Sequence, residues 1–304
     1  MNMDIIDEKG SLVIQKPKCA ACVQRKAMAS IPEGTAPEIT AAFRDGIRKI
    51  VEDSTTREST CVSALHIDDL YRELIGPTKD FTDINRYYND LIIAKENEIT
   101  EIINSSEDPF GAALRFSMTG NYIDFIALET VEDDVLEKSI AESHLLPVDP
   151  VVLEEMRNDV LSGRQMVYLT DNCGEIVFDK LFIKEILKMN PQLQITMIVR
   201  GAPIVNDAVM ADAEQAGLTD IINVIGSGSG VGGTSLALIS EEALGYIKSA
   251  DFIISKGMGN FETLEYEDLN CYFIFLCKCE YFAERFSVPR LTGMVLHGPC
   301  EFAQ

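Results

Sequence analysis

The chain has 304 residues, 46% of them hydrophobic, enough to bury a large core in one large domain or two ordinary ones, which argues against disorder. Lysine and arginine total 26 against 49 acidic residues, a formal charge of -23, so the long-range field repels nucleic acid and anionic membrane surfaces. Exposed charge is screened beyond roughly 8 Å at physiological salt, so a small phosphorylated substrate remains admissible if the site carries its own positive charge.

Residues 1–10 contain no basic region followed by an apolar core, and no apolar run approaches a membrane-spanning length, so a cytoplasmic protein is expected. Eight cysteines are too few for a disulfide scaffold in a chain this long, and the pairs Cys19/Cys22 and Cys277/Cys279 suit reduced thiols or soft-metal contacts. His66, His144 and His297 are the only histidines, which disfavours chemistry built on a histidine cluster.

From residue 18 to about 141 the pattern is helical, with segments at 22–29, 37–52, 60–74, 85–103 and 109–116. Tyr88, Leu91, Ile92 and Ile99 share one helical face and Asp90 and Asn97 fall opposite, although Lys95 interrupts the stripe. Residues 1–147 are therefore read as a helical domain or cap. Cys19-Ala20-Ala21-Cys22 stands near a helix start, but zinc needs about four ligands. Cys61, Cys271 or Cys279 would have to come near, and packing of small thiols is the simpler account. Arg115 is a candidate phosphate contact, and Asn121 or Asp124, after the Gly120-Asn121 punctuation, is a candidate to face the cleft. On these residues alone a plain surface helix end is favoured. The acidic stretch 129–142 reads as a solvated helical face, and Pro147 and Pro150 mark a boundary.

Beyond it, over 148–304, apolar β-rich runs at 166–170, 195–199, 221–225, 252–255, 271–276 and 294–296 alternate with helical patterns such as 178–188, 208–216 and 235–249. This is the grammar of an α/β fold with a mainly parallel sheet covered on both faces. Each conspicuous polar motif then lies just past a strand's C-terminal end, where open α/β sheets bind ligands. The first strand delivers Asp171-Asn172-Cys173-Gly174-Glu175, and the second Arg200-Gly201-Ala202-Pro203 followed by Asn206-Asp207. The third opens into the glycine run 226–233, the fourth into 255–260, and the fifth ends at Lys278. Asp171, Asn172 and Asp207 offer the hard oxygens expected for a divalent ion. Helix capping by Asp171, Asn172 or Asp207 is the plainer alternative. Lys256 and Lys278 would supply positive charge to phosphate oxygens, and Asn260 an amide donor. Gly228, Gly230 and Gly233 spell a dinucleotide fingerprint but follow the third strand, and the run lacks the Lys-Ser/Thr of a P-loop, so a mobile loop over the substrate is preferred.

Asp171 to Glu175, the run Pro203-Ile204-Val205-Asn206-Asp207, the run from Ser255 to Glu262, and Lys278-Cys279 resemble in order the motif series of the metal-dependent damage-control phosphatases. That family was long catalogued as a domain of unknown function and includes the ARMT-like proteins. Cys19/Cys22 and the stretch from Gly120 to Asp124 resemble its microbial branch. The resemblance implies a helical N-terminal region on a Rossmann-like α/β/α core, with a divalent ion (Co²⁺, Ni²⁺, Mn²⁺ or Mg²⁺) at Asp171, Asn172 and Asp207. It also implies hydrolysis of sugar phosphates or phosphopantetheine-like esters, with Lys256, Asn260 and Lys278 near the phosphate. Met258 departs from the glutamine of many relatives. On this reading the ion neutralises phosphate oxygens and activates water, with Glu175 or Asp207 orienting it. Two alternatives are kept. The glycine run would suit an S-adenosylmethionine-dependent carboxyl methyltransferase, and Cys19/Cys22 a non-enzymatic metal or redox module.

Overall fold

The computed structural model describes residues 17–54, 59–128 and 130–299. The N-terminal segment read above for targeting signals lies outside the described residues, as does Glu129. Six strands among the described residues form one sheet: β1 (Gln165–Leu169), β2 (Gln194–Val199), β3 (Asn223–Gly226), β4 (Phe252–Lys256), β5 (Cys271–Leu276) and β6 (Gly293–Gly298). Their order is β3-β2-β1-β4-β5-β6, parallel throughout except that β6 runs antiparallel to β5. The direction of winding reverses between β1 and β4, which opens a crevice at the C-terminal ends of those two strands.

Before the sheet come α1 (Pro17–Ala29), α2 (Pro37–Ser54), α3 (Thr60–Leu74), α4 (Thr82–Ile93), α5 (Glu96–Ser105), α6 (Pro109–Gly120), α7 (Asp133–Ala141) and α8 (Pro150–Ser162). Within it come α9 (Glu175–Met189), α10 (Met210–Gln215), α11 (Glu241–Ser249), α12 (Gly257–Leu264) and α13 (Glu280–Phe286). The single helix expected over 85–103 is two, α4 and α5, parted at Ala94 and Lys95 where the apolar stripe is interrupted. The helix expected over 235–249 starts only at Glu241, because Ser240 caps it by accepting from the Ala243 N–H at 3.1 Å.

Strand alternation sorts the core. Met166, Tyr168, Met197, Ile254 and Tyr272 face one layer and pack with Ile92, Phe116, Ile176 and Phe182. Val167, Leu169, Ile253 and Phe273 face the other and pack with Ile247, Phe261 and Phe282. Helices α1 to α3 hold a small core of their own around Phe43, Ile47 and Ile67. The larger core runs across the boundary expected at Pro147: Phe116 of α6 stacks on Phe178 of α9 with centroids 6.4 Å apart. No helix among the described residues is long and apolar enough to cross a membrane.

Alternation also aims the site. Lys256 follows Phe252 and Ile254 in phase, so its side chain enters the α6/α9 layer rather than solvent, and it is completely buried.

Candidate active site

The turn after β1 is stitched to the segment after β2. Asn172 and Asp207 form an isolated antiparallel bridge, the Ala208 N–H donates to the Asp171 carbonyl at 2.8 Å, and the Cys173 N–H to the Asn206 carbonyl at 2.8 Å. Gly174 has φ +67° and its N–H donates to Asn89 Oδ1 of α4 at 2.6 Å; a Cβ there would come within 2.7 Å of Ile123 Cδ1. Only glycine meets both demands. Helix α9 starts at Glu175 with no side-chain cap, and Val209, not Asp207, precedes α10. Asp171, Asn172 and Asp207 are thus not spent as caps.

Between the two aspartates lies a residue whose role sequence reasoning missed, the buried Arg200. Its Nε donates to Asp207 Oδ2 at 2.6 Å, Nη2 lies 3.5 Å from Asp171 Oδ1, and Nη1 reaches the Gly233 carbonyl and Asn260 Oδ1, each at 3.2 Å. The guanidinium thereby ties the ends of β1 and β2 to the glycine run and α12. Gly257, at φ +81°, brings backbone so close to Asp171 that a Cβ would sit 2.0 Å from Oδ2. Burial, then the charges of Asp207 and Glu175, push the Asp171 carboxyl well above its usual range. Burial likewise pushes Asp207 up to about 6, against the opposing pull of Arg200.

Behind this pair is a second layer of charge. Glu175 Oε1 meets Lys256 Nζ at 2.8 Å, and Oε2 accepts from the Asn172 N–H at 3.2 Å and from Asn172 Nδ2 at 2.9 Å. Asn121 Nδ2 bridges Glu175 and Asp171 Oδ2, while its Oδ1 accepts from the Leu276 N–H at 3.0 Å. With both oxygens of Glu175 so engaged, neither is left to draw a proton from water. That corrects the expectation that Glu175 orients the attacking water. Lys256 also holds Asp179 Oδ1 at 2.7 Å and both the carbonyl and the hydroxyl of Ser117. Lys278 pairs with Asp124 and donates to the Asn121 carbonyl at 2.6 Å. Burial would raise Asp124, but Lys278 and the Ala127 and Ile126 N–H groups outweigh it and hold the carboxyl below its ordinary value.

The structure brings Asp171, Asn172, Asp207, Glu175, Asn121, Lys256, Asn260 and Lys278 into one buried neighbourhood. Asn260 is occupied on both sides: Nδ2 donates to the Thr170 and Lys256 carbonyls, and Oδ1 accepts from Thr234 and Arg200. Arg115 is not brought there. Its guanidinium donates to the Leu146 and Gly111 carbonyls and lines a separate cavity of about 570 Å³ with Lys95, Phe116 and His144. Asp179, buried on α9, was another omission; its signal was the four-residue spacing from Glu175, which puts both carboxylates on one helix face.

A divalent ion fits this donor set. Asp124, Asp171, Glu175, Asp179 and Asp207 face Lys256, Lys278 and Arg200, which leaves the buried formal charge short by two positive units. No three His, Cys, Asp or Glu among the described residues form a metal cluster of their own. Two carboxylates and one carboxamide instead match hard cations that keep several waters.

Cys173 points into the core, hydrogen-bonded by Asn206 Nδ2 at 3.8 Å, and burial pushes its thiol far above the ordinary range. A thiolate nucleophile is thereby disfavoured. Replacing it as Cys173→Ala is expected to leave turnover within about threefold while lowering the melting temperature, because only a small buried side chain is lost. Steady-state rates with a melting curve check this. Cys19 and Cys22 lie on α1, both partly exposed and neither in a disulfide among the described residues.

The model of the damage-control phosphatase ARMT1-like domain matches residues 15–292. An uncharacterised protein of Methanocaldococcus jannaschii is 31% identical over 315 aligned residues, covering 93% of this chain and 95% of its own length. A damage-control phosphatase of Pyrococcus horikoshii is 33% identical over 185 residues, 60% of this chain and 62% of its own. One from Archaeoglobus fulgidus is 29% identical over 273 residues, 87% of this chain and 92% of its own. Among solved structures, a DUF89 family protein from Pyrococcus horikoshii superposes with a TM-score of 0.74 at 24% identity, covering 93% of this chain and 98% of that one, which shows a shared fold.

Proposed function

The chain belongs to the damage-control phosphatase ARMT1-like family, and on that premise we propose that it is a metal-dependent phosphomonoesterase acting on small phosphorylated metabolites. Asp171, Asn172 and Asp207 would hold the ion. The observation that carries this reading is the convergence, at the β1/β4 switch point, of two carboxylates and a carboxamide in a buried cluster short of two positive charges. The ion supplies Lewis-acid neutralisation of phosphate oxygens and a more acidic water.

The protein's own residues divide the remaining work. Asn172 spends both Nδ2 hydrogens, on Asp171 Oδ2 at 2.8 Å and on Glu175 Oε2, so its amide oxygen is turned away from both carboxylates and stays available as a ligand. Arg200 keeps Asp207 and Asp171 from collapsing together or splaying apart. Of the two lysines, Lys256 has more acceptors around it than protons to give, whereas Lys278 has two of three donors engaged. Lys278 is therefore the lysine with a donor left to offer a phosphate oxygen. Lys256, expected from the sequence to touch phosphate, instead neutralises buried carboxylates. Asp207, with its raised carboxyl, is the remaining group near the ion that would orient water.

Sugar phosphates and phosphopantetheine-like esters are the proposed substrates, with Co²⁺, Ni²⁺, Mn²⁺ or Mg²⁺ as the proposed ions. A screen of metal-stripped protein against these four ions and a panel of such esters, including p-nitrophenyl phosphate, tests the reading by phosphate release. Turnover that depends on added metal is expected in at least one combination. Silence across the panel together with tight, metal-independent binding of S-adenosylmethionine would replace it with the methyltransferase alternative.

A further inference from the structure

Asp179 is an expensive residue to keep. It is completely buried, and Lys256 Nζ, Tyr168 Oη and Ser117 Oγ all converge on its Oδ1 at 2.7 Å. Its Oδ2 has no hydrogen-bond partner among the described residues. A carboxylate left half-satisfied in a protein interior costs stability, and an apolar residue of similar size would pack there more cheaply. It lies one helical turn beyond Glu175 on α9, and the same ammonium bridges the two.

We propose that Asp179 is a positioning residue for the metal site, acting through Lys256 and Glu175 on the ligand Asn172. The inference rests on the phosphatase reading for the identity of that ligand. The connection is continuous. Asp179 and Ser117 hold the Lys256 ammonium at one point, and from there it grips Glu175 Oε1. With Oε1 held, Oε2 faces the Asn172 N–H and Nδ2. Those donors fix which way the Asn172 amide oxygen points. A charge effect runs in the same direction. Lys256 alone is a full positive charge behind a site that must attract a dication, and Asp179 offsets it. Removing the Asp179 charge would loosen the ligand and make the site less attractive to metal.

The test is Co²⁺ binding by calorimetry, combined with the visible spectrum of Co²⁺-saturated protein, for wild type, Asp179→Asn and the packing control Phe182→Leu. Partners one shell out from a metal are worth about 10- to 100-fold in affinity or activity, so Asp179→Asn is expected to raise the Co²⁺ dissociation constant about tenfold. It is also expected to change the ligand-field bands at saturation. Phe182→Leu should melt lower with affinity and spectrum unchanged. If Asp179→Asn melts lower but keeps the wild-type affinity and bands, Asp179 is merely structural and the proposal is overturned. Should Asp179→Asn not fold, Tyr168→Phe removes one of its three donors and should weaken Co²⁺ about threefold, a share of the same outer-partner effect; wild-type affinity and bands there would equally overturn the proposal. Wild-type protein that neither binds Co²⁺ nor releases phosphate overturns the phosphatase reading itself, whereas wild-type protein that does both, beside an unaltered Asp179→Asn, overturns this inference alone.

Discussion

Asp171→Asn is expected to lower metal-supported phosphate release by about 10³-fold or more, since a catalytic ion contributes several kcal/mol of transition-state stabilisation and each 1.36 kcal/mol is tenfold. The same substitution should not destabilise the metal-free protein at neutral pH. Asp171 is buried beside Asp207 and Glu175, and its carboxyl is held well above the usual range, so ionising it in the folded state is unfavourable. The sign follows from linkage. A carboxyl with a raised folded value contributes stability at low pH that is lost as pH rises through that value. An uncharged isostere escapes this loss, so metal-free Asp171→Asn should melt at or above the wild-type temperature at pH 7. Wild-type turnover in this variant would remove Asp171 from the metal site. A lower melting temperature without metal would contradict the electrostatic account.

Lys256→Met is expected to act first on stability. Glu175 and Asp179 would then be buried without their shared counter-charge, and breaking a buried pair by removing one partner costs about 3–5 kcal/mol. In a chain of this size that lowers the melting temperature by roughly 5–8 °C. Acidification should narrow the gap to wild type, because burial already pushes the Asp179 carboxyl up to about 6, and protonation removes the stranded charge. A lysine that only gripped phosphate would behave otherwise, with a raised KM and an unchanged melting curve. Melting curves from pH 5 to pH 8 beside KM values therefore separate the two roles, and an unaltered melting temperature would restore the phosphate-contact reading.

Much of the site was legible because strands and loops write themselves locally. Apolar runs of strand length alternating with helical stripes require a covered parallel sheet, and a covered parallel sheet puts its polar residues beyond the strand ends. Asp171, Asn172 and Asp207 could be brought together on that basis alone, and their bridge realises the pairing. The sequence puts Lys256 at the end of a strand but does not say that Glu175, Asp179 and Ser117 surround it. Its direction follows from the phase of β4, and phase becomes meaningful only when the chemistry of each covering layer is known. Arg115 failed for a related reason: helical spacing puts it on a face without saying which cavity that face adjoins.

The sequence by itself determined the α/β architecture, the order of the motifs and the oxygen-rich character of the turn after β1, since each depends on contacts within a few residues. Only the tertiary structure decided that Arg200 lies between the two aspartates, that Glu175 is bound on both oxygens, and that Lys256 and Lys278 face different carboxylates. Those are contacts between residues up to 154 positions apart, as with Lys278 and Asp124. Their partners are selected by buried charge balance, a property of the assembled interior that no local stretch of chain encodes.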